Sequence, residues 1–150
     1  MMNRYLLVSH AATAAAAALV ATGLSLWTSA AIPSASAADN GNANVALLTQ
    51  PLPDIPGREV RMTLLQRDPM DSSAPHRHPG HYTFGYVVQG TYEFGVNGQP
   101  PRTLHAGDVF YEPPGALHSM SRNASPNEKL KIVVFMVADS SKPSTVPEPK

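Results

Sequence analysis

Cysteine is absent from all 150 residues, so no disulfide can staple the fold, and stability has to come from a hydrophobic core and from any metal the chain binds. An excess of charge is absent too: Lys+Arg and Asp+Glu number 11 each. No basic cluster or aromatic-plus-basic stripe occurs, and a nucleic-acid partner, which needs a positive footprint, is excluded from the expectations. Beyond the first 37 residues there is no helical periodicity of convincing length and no internal repeat.

What is present begins with a segment unlike the rest. Arg4 precedes a run rich in Ala, Leu and Val from Tyr5 to Trp27, and Ala35, Ser36 and Ala37 provide a small-residue exit. This pattern predicts a secretory signal peptide over 1–37. A retained anchor is the competing reading, because the apolar run approaches the roughly 20 residues that span a bilayer. The alanine content and the exit favour cleavage, and a single arginine does not make a twin-arginine signal. A periplasmic or secreted protein starting at Ala38 is expected, with no membrane association after cleavage. About 110 residues remain, enough to bury one core.

That remainder reads as all-β. Residues 38–57 form an N-terminal extension, 58–138 a single domain, and 139–150 a Pro- and Ser-rich tail expected to be extended or mobile. Arg58 to Asp68 alternates charged and apolar residues, placing Val60, Met62 and Leu64 on one face. "YTFGYVVQ", Gly90 and "TYEFGV" read as a hairpin; "DVFYE", "ALHSMS" and "LKIVVFMVA" are further strands separated by Pro/Gly/Asn turns. Short strands at this spacing suggest a barrel or sandwich. On the strand from Tyr82, alternation puts Thr83, Gly85 and Val87 on one face and Phe84, Tyr86 and Val88 on the other. Tyr82, Tyr92, Phe94, Tyr111, Met120 and Phe135 are candidates for core or pocket.

The histidines carry the chemistry. His76 and His78 are two apart, so an extended backbone projects both to one side, and His118 lies on a separate predicted strand. Imidazoles converging from separate elements suit iron, manganese, nickel, copper or zinc. His105 and His10 have no such setting and read as ordinary histidines.

The residues framing these histidines resemble the two sequence motifs of the cupin superfamily. His76, His78 and Gly90 match the first motif, with Thr83 standing where a Glu is expected; Gly107, Pro113, Gly115 and His118 match the second without a gap. Asn123 lies one residue beyond the motif's usual Asn. The resemblance runs from about Arg58 to Ala138 and implies an antiparallel jelly-roll β-barrel (double-stranded β-helix). It also implies a divalent metal (Fe, Mn, Zn or Ni) on His76, His78 and His118.

Thr83 is the departure. Without the carboxylate, three neutral imidazoles leave the ion its full charge, favour anionic or chelating substrates, and imply lower affinity. His81 is a possible fourth ligand; Glu112 and Glu93 fit exposed strand positions. For proton relay, the candidates are Thr83, Tyr82 and His81. Three functions follow: a dioxygenase-like metalloenzyme acting on a small chelating or anionic substrate, a non-catalytic small-ligand-binding module, and a sugar isomerase- or epimerase-like cupin. The last is disfavoured by the lack of a well-placed carboxylate base. A homodimer is a possible assembly.

Overall fold

The structure is a computed structural model, and it describes residues 41–150. The signal-peptide expectation and His10 lie outside the described residues. Within them the chain forms ten strands and no helix: β1 (Ala43–Pro51), β2 (Arg58–Arg67), β3 (His76–Arg77), β4 (Tyr82–Gln89), β5 (Thr91–Val96), β6 (Arg102–His105), β7 (Val109–Glu112), β8 (Leu117–Asn123), β9 (Leu130–Asp139) and β10 (Val146–Pro147). They pair antiparallel into two sheets, β1-β2-β9-β4-β7 and β10-β3-β8-β5-β6. This is the expected jelly-roll.

Strand periodicity sorts the side chains. On β4, Thr83, Gly85 and Val87 are buried while Tyr82, Phe84, Tyr86 and Val88 are exposed. On β9, Leu130, Ile132, Val134, Met136 and Ala138 point into the core. Tyr92 and Phe94 from β5 and Phe110 from β7 join them from both sheets, with the Phe94 and Phe110 ring centroids 4.6 Å apart. Gly85 is small because Phe110 lies across it: a Cβ there would overlap the Phe110 ring. Gly90 turns the β4–β5 hairpin at φ 87°, in the left-handed region, and a Cβ would sit 2.7 Å from the Lys129 carbonyl, so only glycine serves.

Val60, Met62 and Leu64 do share a face of β2, and it is the outer one, where Met62 pairs with Phe135 and Leu64 with Val133. The opposite face of β2 offers Thr63, Leu65 and Arg67 to an internal cavity. The result is a sheet whose outer surface is also apolar, with Tyr82, Phe84, Tyr86, Val88, Val109 and Tyr111 all exposed.

Three strands arise where the sequence reading placed none, and β6 is one of them, pairing with β5 from Thr91↔His105 to Phe94↔Arg102. β1 forms inside the N-terminal extension, because the edge of β2 offers a ladder running from Ala43↔Gln66 to Pro51↔Glu59. β10 forms inside the tail and pairs with β3, and Arg77 binds Glu148 through two hydrogen bonds of 2.6 and 2.8 Å. The tail turns at Ser140 and Ser141 and is then pinned against the barrel through β10.

Asn123 acts as a clasp. It is fully buried, donates to the carbonyls of Arg67, Asp68 and Glu128, and accepts from the Ser125 amide. It joins the ends of β8 and β2 to the loop before β9.

Candidate metal centre

The β3–β8 register makes His76 and His118 direct cross-strand partners. His78 follows β3 immediately, and its ring centroid is 5.0 Å from that of His76. One nitrogen from each of His76, His78 and His118 lies within 4.8 Å of the others, so the three can hold a metal ion. The sequence spacing predicts this convergence. The pairing register delivers it.

Their remaining nitrogens are committed elsewhere. His76 Nδ1 donates to the Ala74 carbonyl at 2.8 Å, and His78 Nδ1 donates to the Ser144 carbonyl at 2.6 Å. A carbonyl can only accept, so each ring carries its proton on Nδ1 and keeps Nε2 as a lone pair for the centre. His118 Nε2 meets Tyr92 Oη at 3.1 Å, and Tyr92 Oη meets Ser121 Oγ at 2.9 Å. With Nε2 engaged there, Nδ1 faces the centre, and it has no hydrogen-bond partner.

Burial keeps His118 and His78 uncharged. It pushes the His118 imidazole down to about 3, with help from His76 and His78. Burial also lowers His78, against the raising effect of its bond to Ser144. Neutral imidazole is the form that ligates.

Glu112 overturns its assignment to an exposed position. Its carboxyl is buried, with Oε1 3.4 Å from His118 Nδ1 and Oε2 3.7 Å from His78 Nε2. Burial raises it to about 8. The strand "DVFYE" carries apolar or aromatic residues on both faces, so alternation alone does not tell which face is inside. The signal was its phase with Phe110, which points inward with it. A carboxyl group is therefore present beside the histidines, where it could serve acid–base chemistry. Glu93 does fit the surface, where it pairs with Arg122.

The other candidates divide. Thr83 is buried beside Glu112, its Cα partner on β7, with its hydroxyl unpaired. Tyr82 is 45% exposed on the outer sheet face, because it is out of phase with Thr83, and it does not line the cavity. His81 is fully buried but both nitrogens are spent on backbone: Nε2 donates to the Pro143 carbonyl and Nδ1 accepts from the Asp139 amide. It anchors the tail rather than joining the three histidines.

The centre opens on a cavity of about 480 Å³ walled by Leu65, Phe110, Val134 and Met136, with Arg67 as its cationic side chain. Ser144, Thr145 and Pro147 of the tail also line it.

The family model for the cupin domain matches residues 64–136. Germin-like protein 5-1 of Oryza sativa subsp. japonica is 31% identical in an alignment of 97 residues that covers 59% of this chain and 44% of that protein. The chain thus spans less than half the length of this relative. Among solved structures, a double-stranded β-helix protein from Klebsiella pneumoniae matches with a TM-score of 0.59 at 18% identity, covering 75% of this chain and 89% of that one. KdgF from Halomonas sp. matches with a TM-score of 0.54 at 26% identity, covering 67% and 83%. Fold, motif spacing and these likenesses agree, and the chain belongs to the cupin superfamily.

Proposed function

We propose that this cupin is a metal-dependent, dioxygenase-like oxidoreductase that acts outside the cytoplasm on a small chelating organic acid. The observation that carries the reading is the convergence of His76, His78 and His118 at a largely apolar cavity. Imidazole nitrogens suit Fe, Mn, Ni or Zn, and a redox-active ion among these supplies Lewis acidity and electron transfer. The chain's own residues set the conditions. Ala74 and Ser144 carbonyls hold two imidazoles in the ligating tautomer, and Leu65, Phe110, Val134 and Met136 give the cavity an apolar wall. Arg67 brings a cationic side chain to the cavity wall, held there by the Ala43 and Gln66 carbonyls and by Asp71. Its volume suits one small molecule, near the lower part of the roughly 300–1,000 Å³ range of ligand pockets.

The test is elemental analysis of untagged protein, followed by oxygen uptake with keto acids, dicarboxylic acids and chelating phenols. About one equivalent of a redox-active metal and substrate-dependent oxygen consumption are expected. Metal binding with saturable ligand but no turnover would reassign the protein to non-catalytic binding.

Two further parts belong to the proposal. Export rests on Arg4, the apolar run and the exit at Ala35 to Ala37, and amino-terminal sequencing should begin at Ala38. The outer face of the β1-β2-β9-β4-β7 sheet docks a second copy of this chain. It has no charged side chain on β9 between Lys131 and Asp139, and its exposed apolar residues present on the order of 500 Å². Half-buried neighbours such as Phe135 extend this toward the roughly 800 Å² per partner of a standard interface.

A further inference from the structure

Thr83 and Glu112 face each other across the β4–β7 ladder. Directly opposed residues of an antiparallel pair project to the same face with their Cβ atoms about 5 Å apart. A carboxylate at either position can therefore serve the same small volume. The family motif places it on β4; this chain has Thr there and Glu on the facing residue of β7.

We propose that Glu112 is the fourth protein ligand of the metal centre, a carboxylate that has changed strand while staying in the site. The proposal rests on the reading of His76, His78 and His118 as the centre and adds a residue to it. Three observations carry it. Glu112 Oε2 and His118 Nδ1 are both buried with no hydrogen-bond partner, and Glu112 touches both His118 and His78. Glu112 Oε1 faces His118 Nδ1 and Oε2 faces His78 Nε2, and the latter is a bare lone pair because His78 carries its proton on Nδ1, so two acceptors oppose each other there and need a cation or a proton between them. The 3.4 and 3.7 Å separations are beyond those of good hydrogen bonds, and they approach the roughly 3 Å between neighbouring ligand atoms around an ion with bonds near 2.1 Å. Finally, Glu112 is buried and its ion-pair contacts are to histidines, unlike Glu93 and Glu148, which pair with Arg122 and Arg77 at the surface.

Two consequences follow. The donor set becomes three imidazoles and one carboxylate, which leaves a divalent ion one net positive charge in the cavity instead of two. The low affinity expected from Thr83 alone does not apply. Position 83 is then free to be a small side chain, and its hydroxyl stays beside the carboxylate without a partner of its own.

The experiment is a cobalt(II) titration of the metal-free full chain, read by the visible d–d spectrum and by competition with a chromophoric chelator. Glu112→Gln keeps shape and removes the charge. It should weaken cobalt binding about tenfold or more and change the spectrum. The exchange variant Thr83→Glu/Glu112→Thr should bind within about threefold of the parent, since the carboxylate returns to β4. Unchanged affinity and spectrum in Glu112→Gln, with the parent binding one cobalt through its histidines, would overturn the ligand role and leave the centre standing. Such a result, accompanied by lost turnover, would make Glu112 a base instead. A parent that binds no cobalt would overturn both this proposal and the centre itself.

Discussion

The His78 imidazole donates a 2.6 Å hydrogen bond to the carbonyl of Ser144, a residue 66 positions away in the C-terminal tail. The same tail accepts a bond from His81 through the Pro143 carbonyl, and it pairs with β3 through β10. A segment outside the core thus fixes the tautomer and angle of a ligand. Ending the chain at Asp139 should leave both sheets folded and weaken metal binding by about 10- to 100-fold, the usual effect of losing a partner behind a ligand. Chelator competition on the truncated and full chains measures this, and equal affinities would show that the tail only covers the barrel.

Removal of a ligand imidazole has a sharper expected effect. His76→Ala and His118→Ala should each reduce bound metal from about one equivalent to under about a tenth, while His105→Ala, on exposed β6, should keep it. Elemental analysis after desalting decides. Full occupancy in all three would remove the centre from these residues.

The metal-free protein should show a pH dependence that belongs to Glu112. Its carboxyl is raised from an ordinary 4.5 to about 8, so the folded state holds a proton that the unfolded chain has released. That stability is present below pH 4.5 and is lost as pH rises through 8. His118, lowered from 6.5 to about 3, works in the opposite direction, costing stability as pH falls below 6.5; His78 shifts the same way. Of these groups only Glu112 holds a full proton difference between the folded and unfolded states over most of the interval from pH 6.5 to 8. In chelator, Tm should fall across that interval for the parent and stay level for Glu112→Gln. A level parent curve would mean that the carboxyl ionises freely in the site, whose other titratable neighbours are His76, His78, His118 and Tyr92.

Phe84→Asp places a charge at the middle of the exposed aromatic face, beside Tyr111 and Phe135. Sedimentation of the parent should give a dimer and of the variant a monomer, with the metal content of both equal. A monomeric parent at micromolar concentration would leave this face for another partner.

Much of the fold was legible because strand periodicity is local. Thr83, Gly85 and Val87 were expected on one face of β4, and that is the buried face. Three of the four edge strands, β1, β6 and β10, were not legible, whereas β7 at the fourth edge was read as the strand "DVFYE". Nothing in "ANVALLTQP" or "VP" demands a strand until β2 and β3 offer unpaired edges to complete. His76, His78 and His118 were singled out by spacing and motif, and they do come together; Tyr82 and His81 were adjacent in sequence but are directed to the outer face and to the tail.

By itself the sequence determined the β-rich pattern, the lack of disulfides, the family motifs and the three histidines. Tertiary structure decided what stands opposite what. Thr83 looked like a missing carboxylate because a motif is read along one strand, whereas a site is built across strands: register places Glu112 beside it, and burial without a counter-ion sets the state of that group. Cross-strand register and desolvation are sums over residues far apart in the chain, so no local pattern contains them.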